Sequence, residues 1–246
     1  MTQYRQIAIQ YTDKSRMEHP ERKNMIYPSW LQACGNVREK TILDLGCGGG
    51  ESSRLLADKG ATVIGGDKEL KMLKLARQTE RKNPLNINYL WLNAGWPIFV
   101  FRSVLKFKRF DLITAAFLLH YAKNKKSLRK MATNIYSSLN PGGKIVAINT
   151  YISAKHYLLH PQIGERSFSM QFVEGAKILI NFKINEIEFN FSNTFWKPET
   201  YERILMQAGF KEINWIRMKM DREGRGRVKN YKLLENMPLA VLTAEK

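Results

Sequence analysis

The sequence predicts an α/β protein with a doubly wound, Rossmann-like parallel sheet, and three observations predict it. Thr41-Ile-Leu-Asp-Leu45 reads as an apolar strand running into the glycine turn Gly46-Cys-Gly48-Gly-Gly50. A second strand follows and ends on an acid, Thr62-Val-Ile-Gly-Gly-Asp67. Strand-like and helix-like segments then alternate at short loop lengths, which calls for parallel strands joined by crossover helices.

Taken in order, strand 41–45 is followed by a helix over 51–59 that Gly60 ends, strand 62–66, a helix over 69–82 and strand 87–91. Leu128, Met131, Ala132, Ile135 and Leu139 fall on one face of a helix, and Pro141-Gly142-Gly143 stops it before strand 144–149. Residues 151–186 break the rhythm and carry Tyr151, Tyr157, Phe168, Met170, Phe172 and Phe182, a content that argues against disorder. Ile187, Phe189 and Phe191 alternate as in a half-buried strand. A helix over 198–207 with Gly209 behind it, strand 210–218 and strand 238–243 complete the chain. No internal repeat or low-complexity tract is present.

The 246 residues suffice for one large core, and 44% hydrophobic with 11% aromatic residues is the composition of a soluble globular protein. A single domain over 1–246 is expected. Met1-Thr-Gln-Tyr-Arg-Gln6 has no apolar signal region and no stretch approaches the roughly twenty apolar residues of a membrane span, so a cytoplasmic protein with no membrane partner is expected. Cys34 and Cys47 form no Cys-x-x-Cys pair, and His156 and His160, four apart, lack a third ligand at useful spacing. No metal is expected. The net charge of +18, concentrated at Lys123–Lys130 and Arg217–Lys232, points either to a nucleic-acid partner or to a solvated helix face and a mobile loop.

Glycines at 46, 48 and 50 let the backbone turn sharply and let a ligand approach without Cβ contact, while the helix from Glu51 presents unpaired N–H groups. An adenosine-bearing ligand fits such a seat. A nicotinamide or flavin site wants Gly-x-Gly-x-x-Gly, but the sixth position is Glu51, an acid that repels a pyrophosphate. Asp44-x-Gly46-x-Gly48-x-Gly50 with Asp67 beyond it resembles the cofactor motif of class I S-adenosylmethionine-dependent methyltransferases. Phe110–Ala116 resembles that family's fourth strand, and Leu139-Asn-Pro-Gly-Gly-Lys144 the turn before its fifth. The resemblance implies a seven-stranded sheet and S-adenosyl-L-methionine as cofactor.

It also implies roles. Gly46, Gly48 and Gly50 line the amino-acid portion of the cofactor, with Asp44 beneath its amino group. Asp67, whose carboxylate presents two acceptor oxygens, takes the ribose hydroxyls, or caps the helix behind it. Lys68 and Met72 lie near the adenine, although Met72 also has the spacing of a core residue. Asn93-Ala94 stands where the family has an acid that accepts from the adenine amino group, and Asn can still accept through its carbonyl. Ala115 and Phe117 line the cofactor from the fourth strand.

Tyr4-x-x-Ile7-Ala8-x-x-Tyr11-x-x-x-Ser15-Arg16, with Ala115–Ala122 and Val146–Asn149, is similar to the toxoflavin-synthase-like small-molecule methyltransferases, a match that fades beyond Asn149. This implies that residues 1–37 form an amino-terminal helical lid, with Tyr11 and Arg16 at the cofactor's carboxylate. His120 is the candidate for proton handling or substrate orientation near neutral pH, and Tyr121, Asn149 and Tyr151 complete the acceptor-side set. The expected activity is transfer of a methyl group to N or O of a small planar metabolite, with 151–190 forming the acceptor pocket. The alternatives are an RNA methyltransferase using the basic surface, against which the missing Asn-Pro-Pro-Tyr motif weighs, and a non-catalytic cofactor-binding protein.

Overall fold

The computed structural model describes residues 19–151, 162–163, 166–169, 173–184, 187–229 and 231–246. A π-helical turn, Arg22–Ile26, leads into α1 (Tyr27–Cys34), followed by β1 (Thr41–Leu45), α2 (Glu51–Ala57), β2 (Thr62–Asp67), α3 (Leu70–Lys82) and β3 (Asn88–Trp91). Next come α4 (Ile98–Val104), β4 (Phe110–Ala116), a 3-10 turn (Leu119–Tyr121), α5 (Lys125–Ser138) and β5 (Leu139–Thr150). Four further strands, β6 (Gln162–Ile163), β7 (Arg166–Ser169), β8 (Lys177–Ile184) and β9 (Ile187–Thr194), precede α6 (Pro198–Ala208) and β10 (Lys211–Arg217). The last elements are α7 (Arg222–Arg227), α8 (Tyr231–Glu235) and β11 (Leu239–Glu245).

The main sheet has seven strands in the order β10-β11-β5-β4-β1-β2-β3. Pairs β1–β2, β2–β3, β1–β4 and β4–β5 are parallel, whereas β11 runs antiparallel to both β5 and β10. The predicted seven-stranded, doubly wound architecture is therefore present. Its strand order reverses at β1, because β2 lies on one side of it and β4 on the other. The loops after β1 and β4 diverge there and open a crevice at the strands' carboxyl ends, where such sheets take their ligands.

Each face of the sheet carries its own core. Leu43, Ile113, Ile145 and Ala147 meet α4, α5 and α6 through Phe101, Leu128, Ile135 and Ile204. Ile42, Leu112, Val146 and Val241 meet the opposite layer through Met25, Ile26, Trp30 and Leu73. The alternation along β1, β4 and β5 follows from successive side chains pointing to opposite faces. Met25, Ile26 and Trp30 are fully buried, so residues from Arg22 through α1 cover the sheet; burial of each such side chain stabilises by about 1.5–3 kcal/mol. Of the residues 1–37 expected to form a lid, 1–18 lie outside the described residues.

Several elements depart from the sequence reading. Helix α5 ends at Ser138, and Leu139 already pairs with Phe110, with a register shift before Leu112 pairs with Lys144. Pro141-Gly142-Gly143 is thus a distortion within β5 and not the helix stop. Helix α4 has no signature in the sequence, because Ile98-Phe-Val-Phe101 is an unbroken apolar run with no helical period. The stretch after β5 contributes to a second, four-stranded antiparallel sheet, β6-β7-β8-β9. The basic stretch from Arg217 is not an open loop. Asp221 caps α7 by accepting from the Gly224 N–H at 2.7 Å, while Arg227 pairs with Glu223 at 2.8 Å and Arg225 with Glu235 at 3.1 Å.

Candidate functional site

The turn between β1 and α2 is built on left-handed backbone at Gly46 (φ 77°), Gly48 (φ 55°) and Gly50 (φ 91°). A Cβ on Gly46 would stand 3.0 Å from Leu118 Cδ1, and one on Gly50 would overlap the Tyr89 ring, so both conformation and packing require glycine. The turn is tied to β2 by Gly46 N–H and Cys47 N–H, which donate to Gly66 O at 2.7 and 3.1 Å.

Asp67 fixes the other side of the turn. Its Oδ2 accepts from Gly48 N–H and its Oδ1 from Glu69 N–H, both at 2.8 Å. Burial pushes its carboxyl up, and these two donors pull it back toward the charged form. Each oxygen keeps a lone pair for a further donor. Asp44 is deeper, 1% exposed. Its Oδ2 accepts from Ser52 Oγ and Ser53 Oγ at 2.6 Å each, and its Oδ1 from Thr114 Oγ1 at 2.8 Å. It therefore clamps the start of α2 to β1 and β4 beneath the glycine turn.

Glu51, the first residue of α2, has a buried Oε1 with no hydrogen-bond partner among the described residues. The sequence gives it a role only against pyrophosphate. Its position beside the turn makes it an acceptor open to a cationic ligand group.

Beyond Asp67, the Lys68 carbonyl accepts from Trp91 Nε1 at 3.0 Å, and Trp91 meets Trp96 edge-on with ring centroids 5.0 Å apart. Trp91, half exposed at the end of β3, escaped the sequence reading. Met72 is buried with its methyl end against Gly48. Asn93 Oδ1 accepts from Gly95 N–H at 2.9 Å, and the Ala94 carbonyl from Asn134 Nδ2 at 2.8 Å, so α5 holds this loop in place.

At the end of β4, Ala115 is fully buried and Phe117 has a left-handed backbone, φ 59°. That conformation costs a bulky residue on the order of 1–3 kcal/mol and clusters at functional sites. Phe117 N–H donates to Ile148 O at 2.9 Å, and the Arg22 guanidinium lies 5.6 Å from its ring centroid. His120 follows in the 3-10 turn, 2% exposed, with its ring 4.8 Å from that of Tyr121.

Asn149, two residues after Ala147 on β5, faces the same side of the sheet as Ala147 and Ile145, toward the core that holds Leu119, Trp196 and Tyr201. Both polar atoms of its amide are buried and unpartnered among the described residues, as are His120 Nδ1, Asn193 Oδ1 and the Tyr201 hydroxyl. Strand β9 and the His120 turn pack together, and Trp196 Nε1 donates to Ala122 O at 3.2 Å. Tyr151 stands further out, under the Arg217 guanidinium at 4.7 Å and beside Trp215 at 5.0 Å. Buried polar groups without partners cost about 1–3 kcal/mol each, so each of these calls for a partner beyond the described residues, ordered water or a ligand. Asn193 and Tyr201 carried no motif in the sequence. Tyr11 and Arg16 lie outside the described residues.

Burial pushes the His120 imidazole down to about 3, which favours substrate orientation over proton handling, the two roles expected of it. An unfolded histidine titrates near 6.5, so between these values the unfolded chain binds the extra proton and stability falls as pH drops. Asp44 and Asp67, raised by burial, act in the opposite sense and are common to wild type and variant. His120→Gln should therefore lose about 2 kcal/mol less than wild type between about pH 7 and pH 5 in urea unfolding. Equal losses would show that the imidazole is protonated in the folded chain.

Residues 42–143 match a protein family described as a methyltransferase domain. A ubiquinone biosynthesis O-methyltransferase of Coxiella burnetii (strain Dugway 5J108-111) is 31% identical over 137 residues, covering 55% of this chain and 54% of that protein. The chain thus spans about half the length of the curated relatives it matches. Among solved structures, an S-adenosylmethionine-dependent methyltransferase from Mesorhizobium loti superposes with a TM-score of 0.61 at 17% identity, covering 89% of this chain and 97% of that one. Another from Clostridium acetobutylicum ATCC 824 gives 0.60 at 18% identity, covering 98% of each.

Proposed function

We propose, from the class I methyltransferase fold that this chain has, that it is an S-adenosylmethionine-dependent methyltransferase acting on a small, planar, uncharged acceptor. The observation that carries the cofactor reading is the buried Glu51 Oε1, unpartnered among the described residues, beside a glycine turn whose far side is held by Asp67. A sulfonium cofactor with an ammonium group matches that acid; a pyrophosphate does not. In this reading Gly46, Gly48, Gly50 and Glu51 hold the amino-acid end, with Asp44 bracing the turn. Asp67 takes the ribose hydroxyls, and Lys68, Met72, Asn93 and Ala94 border the adenine. Tyr11 and Arg16 would add to the carboxylate end from the amino-terminal segment.

When bound, the cofactor supplies an electrophilic methyl group, and what remains for the protein is to fix the acceptor in line with it, where orientation alone supplies several orders of magnitude. His120, Asn149 and Asn193 offer neutral donors and acceptors, while Phe117, Tyr121 and Tyr151 offer ring faces for a planar molecule. Methylation at oxygen is favoured over nitrogen by the activity in the Coxiella relative's name. Three ligands in a calorimeter test the cofactor half. S-adenosylmethionine and its demethylated product should bind, and NAD at least about tenfold more weakly. Binding of NAD with no response to the other two would overturn the assignment.

A further inference from the structure

Away from the crevice, α4 is apolar nearly all round. Phe101 and Leu105 face the core, fully buried and 2% exposed, while Ile98, Phe99 and Val100 face outward at 45%, 71% and 41% exposure. A helix apolar on both sides in a protein of this size leaves one side needing a partner. Phe107, in the turn after α4, is 54% exposed and meets Phe99 edge-on at 5.9 Å, so the outward rings form one patch.

The turn that presents Phe107 is strained. Lys106 and Phe107 both have left-handed backbone, φ 50° and 54°, at a helix end where glycine is the usual residue. The Arg102 guanidinium holds them there, donating to the Phe107 carbonyl at 2.8 Å and the Lys108 carbonyl at 2.7 Å. Such backbone costs on the order of 1–3 kcal/mol per residue and persists where function requires the shape.

Residues 97–109 contain Arg102, Lys106, Lys108 and Arg109 and no acid. Lys246 adds to this end of the molecule: burial first, then Arg109 and Arg102 nearby, hold its ammonium below its usual value. We propose that α4 and the Lys106–Lys108 turn are a docking face for the surface of an anionic lipid bilayer. Ile98, Phe99, Val100 and Phe107 would enter the boundary between headgroups and acyl chains, and the four cations would meet anionic headgroups. The contact is peripheral, since no described helix is long and apolar enough to cross a membrane. It revises the expectation of no membrane partner.

Charge decides against a second copy of the chain, because each carries +18 and the patch brings four cations of its own into any self-contact. A nucleic acid satisfies the cations and leaves Ile98 and Val100 in water.

Co-sedimentation with vesicles tests this. The protein should bind phosphatidylcholine vesicles containing about a third phosphatidylglycerol, and pure phosphatidylcholine at least about tenfold more weakly. Phe99→Ser/Phe107→Ser and Lys106→Glu/Lys108→Glu should each lower binding to the anionic vesicles about tenfold or more, at unchanged affinity for the demethylated cofactor product, which also reports that the variants fold. Failure of the wild type to bind, or binding unaffected by the phenylalanine pair, overturns the proposal. So does a wild-type dimer that the phenylalanine pair dissolves, or RNA binding lost in both variants while vesicle binding is kept.

Discussion

Asp67→Ala is expected to weaken binding of S-adenosylmethionine and its demethylated product by roughly 10- to 100-fold, the cost of losing hydrogen bonds to a charged acceptor. The carboxylate does two jobs: it holds the Gly48 and Glu69 N–H groups, and in the proposed reading it receives the ribose hydroxyls. A cofactor product lacking the ribose 2′-hydroxyl separates them. If Asp67 contacts the sugar, removing that hydroxyl weakens binding to wild type and changes little in Asp67→Ala, the coupling a double-mutant cycle detects. If Asp67 only organises the turn, the hydroxyl costs the same in both proteins. Unchanged affinity in a folded Asp67→Ala protein removes the residue from the cofactor site.

The glycine turn is the most legible part of the proposed site, for a physical reason. A turn with three left-handed residues can be built at little cost only from glycine, so its geometry is written into Gly46, Gly48 and Gly50. The acid at the end of β2 follows from strand length and register. The acceptor side has no such code. Asn193 lies near the end of β9, whose partner β8 belongs to the second sheet, and Tyr201 sits on α6, so only tertiary packing sets where they stand relative to Asn149. Helix α4 was hidden for the reverse reason: both its sides are apolar, so the period that reveals an amphipathic helix is absent. In the sequence Glu51 stands out only as a missing glycine. Only its burial without a partner among the described residues makes it a candidate ligand for a cation.

His120 is a buried imidazole whose Nδ1 lacks a partner among the described residues. Held neutral by burial, it can donate from one ring nitrogen and accept at the other, which suits it to fixing the acceptor's nucleophilic atom. His120→Ala should lower kcat about 100-fold with an acceptor that the wild type methylates, while leaving the cofactor's Kd unchanged, because the lost contact belongs to the acceptor side. The pH profile then distinguishes the orienting role from general-base catalysis. With the imidazole titrating near 3, wild-type kcat/KM should show no limb assignable to His120 across the neutral range. A limb near neutrality that disappears in His120→Ala would show that the imidazole titrates there when the acceptor binds, and would restore the base. A restored kcat in His120→Asn or His120→Gln, which keep a neutral donor and acceptor but are not bases, would establish orientation as its task.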